Sequence, residues 1–568
     1  MKKIPYGLAD YKDIKENNYY FVDKTKFIEK IENLNERFLL FLRPRRFGKS
    51  LFLAVLEAYY DKYYKKDFNI LFKDTYIGKN TTKKASSYLV LRFDFSAIDI
   101  SNVENSFRHY VLTTLEFFIR RYKLKIDLID EPISLFKTIF TYLQENNLEL
   151  YLLIDEYDNF ANKLLLQNKD NYLDVVSHKT ATFKQFFTTL KSATSGNDSP
   201  LKRMFITGVT PMTMYDVTSG FNIGSNISLK KEFNSLVGFT QDEVDELLEY
   251  YNVDIDKNLL KEWYNNYIFN EYIQEGIYNT DMILYFISQY QSNDNKPPIE
   301  MIDINVRSDY SKLREIIYTN KKLNGNFETL RTLISGDTVS VNNLVQDFSA
   351  LNLTEENNFI SLMFYLGLIT IKNKTFKLNL TIPNETVKRI DIDFLKDTLM
   401  VEDVFRLRVS HLENHFETFA LDGKLDIFEF IANAININSS IKDYIYKEQH
   451  IKAMYLAYLS LVPYYIIKSE FELNKGFLTE SAKHKADIFI KPFNNEYIKY
   501  FGILEFKYIK RDEKATKEKI DSLVKEATIQ LQKYQDDELL QPYLQKGIIL
   551  KKIILVFHGW ELVKITEI

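Results

Sequence analysis

The sequence predicts an α/β protein: a parallel sheet in the first part, a helical middle, and a smaller α/β unit at the C-terminus. Three observations carry that reading. Apolar runs at 37–42, 88–95, 150–155 and 203–209 alternate with amphipathic helical stretches, the pattern of a parallel sheet with helices on its faces. From Thr240 to about residue 290 the apolar spacing is helical. Residues 443–557 then read helix–strand–strand–strand–helix–strand.

The first strand, Phe38-Leu39-Leu40-Phe41-Leu42, runs into Arg43-Pro44-Arg45-Arg46-Phe47-Gly48-Lys49-Ser50. An apolar strand, a tight loop and Gly-Lys-Ser opening a helix is the layout of a phosphate-cradling P-loop. Backbone N–H groups and the helix N-terminus take the β-phosphate there; Lys49 would neutralise β/γ oxygens and Ser50 would ligate Mg²⁺. The candidate nucleotide contacts on this loop are Arg46, Phe47, Gly48, Lys49 and Ser50. Arg43 stands where the usual pattern has its first glycine. Pro44 biases Arg43 toward an extended conformation, so the strand is expected to run one residue further before the loop turns.

The third strand, Leu150 to Ile154, ends in Asp155 and Glu156. Its C-terminal end faces the ligand crevice of an open α/β sheet. There Asp155 would hold Mg²⁺ and Glu156 could polarise the attacking water. The fourth, Met204 to Thr210, carries hydroxyls at Thr207 and Thr210; Thr207 is the candidate sensor of the terminal phosphate. Thr240-Gln241-Asp242-Glu243 is a capping box that opens the helical stretch. Gln291 to Pro298 is a polar joint. Beyond it a short hairpin is expected from Leu368–Ile371 and Phe376–Leu380 around Asn373-Lys374.

The C-terminal unit carries a second constellation. Lys485 to Ile490 and Phe501 to Tyr508 read as neighbouring strands. Glu505 and Lys507 are two apart and share a strand face, and Asp487 on the other strand can stand beside Glu505. Two acids that hold Mg²⁺ on a scissile phosphate, with a lysine to orient water or stabilise developing charge, make the D…ExK pattern of the PD-(D/E)XK nucleases. An acid, a spacer and ExK also arise by chance, but here the charges sit in an apolar, aromatic strand where idle charge would be costly to bury. A helix over 511–536 follows, with Gln530 and Tyr534 on one face.

Taken together, Tyr6-Gly7, Phe21-Val22-Asp23-Lys24-Thr25, the RPRRFGKS loop, Ile154-Asp155-Glu156-Tyr157-Asp158 and Phe205 to Pro211 resemble the AAA-ATPase-like family. The similarity continues through Gly238-Phe239-Thr240, Trp263-Tyr264-Asn265, Tyr278-Asn279 and Ile382-Pro383-Asn384-Glu385. Members usually carry a PD-(D/E)XK nuclease domain at the C-terminus. The resemblance implies a P-loop NTPase domain over 1–235, a helical lid over 236–295, a helical, winged-helix-like connector over 296–425 and a restriction-endonuclease-like domain over 426–568. It makes Arg43 the family's own version of the loop. It also adds Glu480, seven residues before Asp487, as a metal-site acid, and Gln530 with Tyr534 as the Q-x-x-x-Y element of one nuclease branch, with Gln530 counted among the catalytic residues. Glu448 and His450 are weaker candidates on the first helix of that domain, since their spacing departs from the family's. Lys483 and Lys485 replace residues that are commonly Gly or Arg in relatives.

Composition bounds the rest. With 568 residues the chain holds several domains, and 45% apolar with 27% charged residues is ordinary for a soluble protein. A net charge of −4 leaves any nucleic-acid contact to local patches. The absence of cysteine excludes disulfides, thiolate zinc sites and cysteine nucleophiles. The apolar run from Ala453 to Ile467 is broken by Ser460 and Pro463 and falls short of the roughly 20 residues of a membrane helix. The N-terminus has no stretch suited to a signal peptide. His411 and His415 have metal-ligand spacing without a third ligand nearby. The expectation is a cytoplasmic, ATP-binding, Mg²⁺-dependent nuclease acting on nucleic acid, DNA ahead of RNA, with no membrane partner. A homo-oligomer would fit, because AAA-type turnover draws a finger arginine from a neighbouring subunit; neither Arg92 nor Arg203 carries a signal for that role. The rival reading is a nucleotide-gated scaffold switch whose nuclease fold is inactive.

Overall fold

The computed structural model describes residues 1–568 except 168, 178–180, 195–197, 219–223, 310–328, 330, 331, 334, 335, 354, 392–408, 438–444, 446, 463, 474–483, 494–496, 533, 535 and 536. The chain divides into two compact units: Met1–Asn326 with Ser340–Thr386, and Phe327–Val339 with Val387–Ile568.

The first unit is built on a five-stranded parallel sheet. Its strands are β1 (Phe38–Leu42), β2 (Leu89–Asp94), β3 (Leu150–Asp155), β4 (Leu201–Gly208) and β5 (Ser225–Asn226), in the order β2-β3-β4-β1-β5. The four apolar runs become β1 to β4, while β5, two polar residues long, carries no apolar signal in the sequence. β3 is buried along its whole length because it lies inside the sheet, which is why it reads as an unbroken apolar run. Register brings strand ends together: Asp94 pairs with Asp155, Ile154 with Ile206, and Leu42 with Gly208. Arg43 donates its N–H to Gly208 O, so the β1 pairing does continue one residue, as Pro44 predicts. Gly208 admits no side chain, since a Cβ there would lie 2.4 Å from Tyr157 Cδ1 and 2.6 Å from Asp158 Oδ1.

Helices Gln241–Tyr250, Lys257–Tyr264 and Thr280–Ser292 follow, and the Thr240/Glu243 capping box is formed at both of its bonds. Beyond β6 (Val339–Val341) the expected hairpin is present as β7 (Thr370–Lys374) and β8 (Leu378–Thr381). Its turn falls at Thr375–Lys377 rather than Asn373-Lys374, because an irregularity between Ile371 and Asn373 shifts the register.

The second unit holds a mixed sheet, order β13-β12-β11-β10-β9. Its strands are β9 (Tyr465–Leu473), β10 (His484–Pro492), β11 (Tyr500–Ile509), β12 (Ile549–His558) and β13 (Glu561–Glu567). The helix Glu448–Leu459 precedes β9, and the helix Lys517–Gln532 lies between β11 and β12 in the chain. That matches the expected helix–strand–strand–strand–helix–strand order, with β13 added after it; β13 is part-exposed and mixes polar with apolar residues, so it lacks a long apolar signature. The second helix begins at Lys517 rather than 511, where Thr516 Oγ1 accepts from Lys519 N–H in the first turn. Aromatic and aliphatic residues of β10, β11, β12 and the flanking helices form one core that includes Tyr455, Phe489, Phe501, Phe506 and Phe557.

Candidate active sites

In the first unit the loop after β1 is shaped by two left-handed residues, Arg46 (φ 68°) and Gly48 (φ 96°), before the helix Lys49–Tyr60 begins. The following chain seats this loop. Phe47 O accepts from Gly238 N–H at 2.9 Å and from the Thr280 hydroxyl at 3.0 Å, and Arg46 O accepts from Asp281 N–H. The Phe47 ring is buried edge-on against Tyr267 and Phe269, so its side chain belongs to the packing under the loop. Arg43, 1% exposed, donates to Leu42 O, Ser228 O and Phe233 O and lies between the rings of Phe41 and Phe269. An arginine at this place is therefore a strut that ties β1 to the segment after β5, in a way that glycine could not.

Lys49 is 4% exposed, and its Nζ donates to Arg43 O and Pro44 O, each at 3.0 Å. Burial lowers its pKa, against the pull of Glu156, Asp155 and Asp158. Asp155, 1% exposed, accepts from the Thr207 hydroxyl at 2.6 Å and from Ser50. Its carboxyl is raised by burial, which those two hydroxyls and Arg92 only partly offset. Asp155 Oδ2 has no hydrogen-bond partner among the described residues. Glu156, itself left-handed (φ 50°), accepts from Asn159 Nδ2 at 2.7 Å. Burial raises it, but Lys49, Asn159 and Arg45 outweigh that and leave it below the ordinary carboxylate value. Thr210 instead serves Asp158, which also accepts from the N–H groups of Val209 and Thr210. A 490 Å³ cavity is lined by Gly48, Lys49, Ser50 and Glu156, with Pro5, Phe21 and Leu247 on apolar wall; its size suits a nucleotide-sized ligand.

Two features of this site were invisible in the sequence. Arg92 reaches from β2 to within 3.7 Å of Asp155 Oδ2 while its other nitrogen lies 3.2 Å from Glu57 on the loop helix. Arg45 and Arg46 both pair with Asp309, and Arg46 also faces Asp281. Arg203 is spent on the carbonyls of Ile31 and Glu32, away from the site.

In the second unit β10 and β11 pair antiparallel as far as Ile488 opposite Leu504; one residue on in each strand lie Asp487 and Glu505, close enough for the Asp487 charge to act on the Glu505 carboxyl. Glu505 is 3% exposed; Oε1 lies 3.3 Å from Lys507 Nζ and Oε2 has no hydrogen-bond partner among the described residues. Burial, then the Asp487 charge, push its carboxyl well above the ordinary value. Asp487 Oδ2 accepts from Phe506 N–H at 2.7 Å. Burial lowers the Lys507 ammonium, but Glu505 and Glu526 outweigh it and raise its pKa overall.

Asp487 Oδ1 is taken by Lys452, a residue no motif marked. Lys452 also lies 2.8 Å from Glu448, one helical turn back on Glu448–Leu459. Glu448 thus reaches the site through Lys452, while His450 is two residues on, about 200° round the helix, and buried. Gln530 Nε2 lies 3.4 Å from Lys485 O, and the Tyr534 hydroxyl donates to the same carbonyl at 3.0 Å. Both therefore brace β10 two residues before Asp487. Glu480 and Lys483 lie outside the described residues. Among the described residues no three His, Asp or Glu side chains converge as a metal-ligand cluster, His411 and His415 included. Arg511, from the basic run after β11, is stacked on Trp560 at 3.6 Å.

Residues 5–218 match the family model described as Predicted AAA-ATPase, and residues 446–567 match the PD-(D/E)XK nuclease superfamily. The chain carries an AAA-ATPase-like domain followed by a PD-(D/E)XK nuclease superfamily domain. The P-loop, Asp155-Glu156 and Thr207 fall inside the first match, and Asp487, Glu505 and Lys507 inside the second. A protein of Azotobacter chroococcum mcd 1, described as an uncharacterized protein in the vnfD 5′ region, is 25% identical over 288 residues, 50% of this chain. The chain spans about half the length of that relative, 52%. Among solved structures, Cdc6p from Pyrobaculum aerophilum is 13% identical, covering 70% of this chain and 96% of its own, with a TM-score of 0.23. The Aeropyrum pernix ORC2 protein, in ADPNP–ADP complexes, is 11% identical, covering 69% and 98%, with a TM-score of 0.27. Scores this low leave the fold to be judged from the strand order itself.

The residues of both sites fit the groups these families imply. For ATP and Mg²⁺ there is a buried Asp155 oxygen without a hydrogen-bond partner, facing Arg92, with Ser50 on the same carboxylate and a left-handed Gly48 at the helix start. For a divalent cation in the nuclease domain there is the unpartnered Glu505 Oε2 opposite Asp487. No helix among the described residues is long and apolar enough to cross a membrane.

Proposed function

We propose that this protein binds and hydrolyses ATP, and that the nucleotide state controls a metal-dependent nuclease that cuts phosphodiester bonds in nucleic acid, DNA in preference to RNA. The observation that carries the reading is Glu505: a carboxylate 97% buried, with one oxygen unpartnered, set opposite Asp487 and beside Lys507. A purely structural carboxylate that deep would have both oxygens satisfied.

In the AAA-ATPase-like domain the backbone at Gly48 and the N-terminus of Lys49–Tyr60 take the β-phosphate. Lys49 exchanges its two loop carbonyls for phosphate oxygens. Ser50 and Asp155 would hold Mg²⁺, Thr207 keeps Asp155 oriented, and Glu156, ionised beside Lys49, orients the attacking water. In the nuclease domain Asp487 and Glu505, with Glu480, would hold Mg²⁺, which supplies Lewis acidity and lowers the pKa of a bound water. Lys507 neutralises charge developing on the phosphate, and Gln530 with Tyr534 hold β10 so that Asp487 stays opposite Glu505. The domain plan proposed is the four-part division at 235, 295 and 425, with residues 387–425 packed in the same compact unit as the nuclease domain. The cytoplasm, where ATP and nucleic acid are both at hand, is the location that goes with this reading.

The test is cleavage of plasmid, linear and single-stranded substrates in Mg²⁺ or Mn²⁺, with and without ATP, beside Asp487→Ala and Lys49→Ala. Cutting lost in Asp487→Ala and altered in Lys49→Ala is expected. No cutting of any substrate by a chain that still binds ATP through Lys49 would replace this reading with the nucleotide-gated switch.

A further inference from the structure

Asp487 belongs to two charge systems. On one side it stands opposite Glu505, whose Oε2 is buried and open. On the other its Oδ1 accepts from Lys452 Nζ, and that same ammonium lies 2.8 Å from Glu448 Oε1. A cation therefore already bridges Glu448 and Asp487. Lys452 is held firmly, at 15% side-chain exposure, on a helix whose neighbouring turn includes the fully buried Tyr455. Two of its three N–H donors are used by these carboxylates.

Charge balance points the same way. With Glu505 ionised, as a bound cation would leave it, Glu448, Asp487 and Glu505 bring three negative charges among the described residues, and Lys452 with Lys507 bring two positive ones. Glu526, mostly in solvent at 67% side-chain exposure, adds little. One divalent cation turns a net charge of minus one into plus one, suited to an anionic substrate. A second would pile up three positive charges, with Lys452 lodged between the carboxylates it needs. We propose that Lys452 stands in for a second divalent cation: the site takes one metal ion at the Asp487–Glu505 side, and the Lys452 ammonium occupies the Glu448–Asp487 side. Lys452 is thus a positioning residue, and it makes this a one-metal nuclease. The inference rests on the nuclease reading above.

The test counts Mn²⁺ bound per full-length chain, without nucleotide, by equilibrium dialysis and electron paramagnetic resonance, taking the difference from Asp487→Ala. One ion is expected in the wild type and in Lys452→Arg, which keeps the charge. Two are expected in Lys452→Met, with coupled Mn²⁺ signals, and one again in Lys452→Met with Glu448→Gln. Two ions in the wild type, or still one in a folded Lys452→Met, overturns the proposal. If Lys452→Met does not fold, the wild-type and Lys452→Arg counts decide: one in both supports it and two in either overturns it. A wild-type count of none removes the nuclease reading and this inference with it, whereas a count of two removes this inference alone.

Discussion

The two sites use the same ingredients in different ways. In the nucleotide site the chemistry is carried on contiguous motifs, and much of the geometry is backbone: a left-handed Gly48, a helix N-terminus, and a loop whose carbonyls are gripped by the Asn279–Asp281 segment and Gly238. In the nuclease site the geometry is side-chain charge, gathered from β10, β11 and two helices into a chain that runs Glu448, Lys452, Asp487, Glu505, Lys507, Glu526. The pKa shifts follow the same division. Lys49 is lowered because burial outweighs the charges of Glu156, Asp155 and Asp158, its direct hydrogen bonds going to two backbone carbonyls, whereas Lys452 and Lys507 are raised because carboxylates outweigh burial. A backbone-built site is expected to fail through conformational changes, and a charge-built site through loss of single charges.

The largest effect should come from breaking the charge chain. Glu505→Gln is expected to lower the cleavage rate by about 10³-fold or more while leaving ATP affinity within about twofold, read from single-turnover cleavage and nucleotide titration. Equal loss of both activities would dissolve the contrast.

Next comes pH. The folded-state pKa of Glu505 is raised to about 8 by burial and by Asp487, above its unfolded value. The native state then binds the extra proton between the ordinary carboxylate value of about 4.3 and about 8, so stability falls as pH rises through that window. A divalent cation relieves the ionised form, so the rise in Tm on adding Mn²⁺ should be larger at pH 8.5 than at pH 6. Glu505→Gln should remove that difference. A pH-independent shift would mean that Glu505 is already ionised.

The smallest effect tests the backbone side. A Cβ at Gly48 meets nothing nearer than Thr280 Oγ1 at 3.9 Å, so Gly48→Ala pays only for its left-handed φ, about 1 kcal/mol. Gly208→Ala drives a methyl into Tyr157 and Asp158 and should cost about 1–3 kcal/mol in denaturant unfolding. Gly48→Ala should nevertheless weaken ATP binding more than Gly208→Ala does, since only Gly48 lies in the proposed phosphate loop, at the start of Lys49–Tyr60. The reverse order would show that the loop tolerates a shift.

Much of this protein was legible from its residues alone. Strands β1 to β4 announced themselves as apolar runs, and Gly48-Lys49-Ser50, Asp155-Glu156 and the Glu505/Lys507 pair lie at spacings set by one loop, one strand end or one strand face. Such signals survive in a sequence because the partners are near neighbours in the chain. The extension of β1 to Arg43 could be read from Pro44 for the same reason. Only tertiary structure decided that Arg43 is buried between Phe41 and Phe269, that Arg92 reaches Asp155, that Phe47 belongs to the packing under the loop, and that Lys452 closes on Asp487. Each of these depends on which strands are neighbours and on how a distant helix is rotated. A lysine on a helix facing solvent and one facing two carboxylates have the same spacing in the chain; the sheet register and helix packing choose between them.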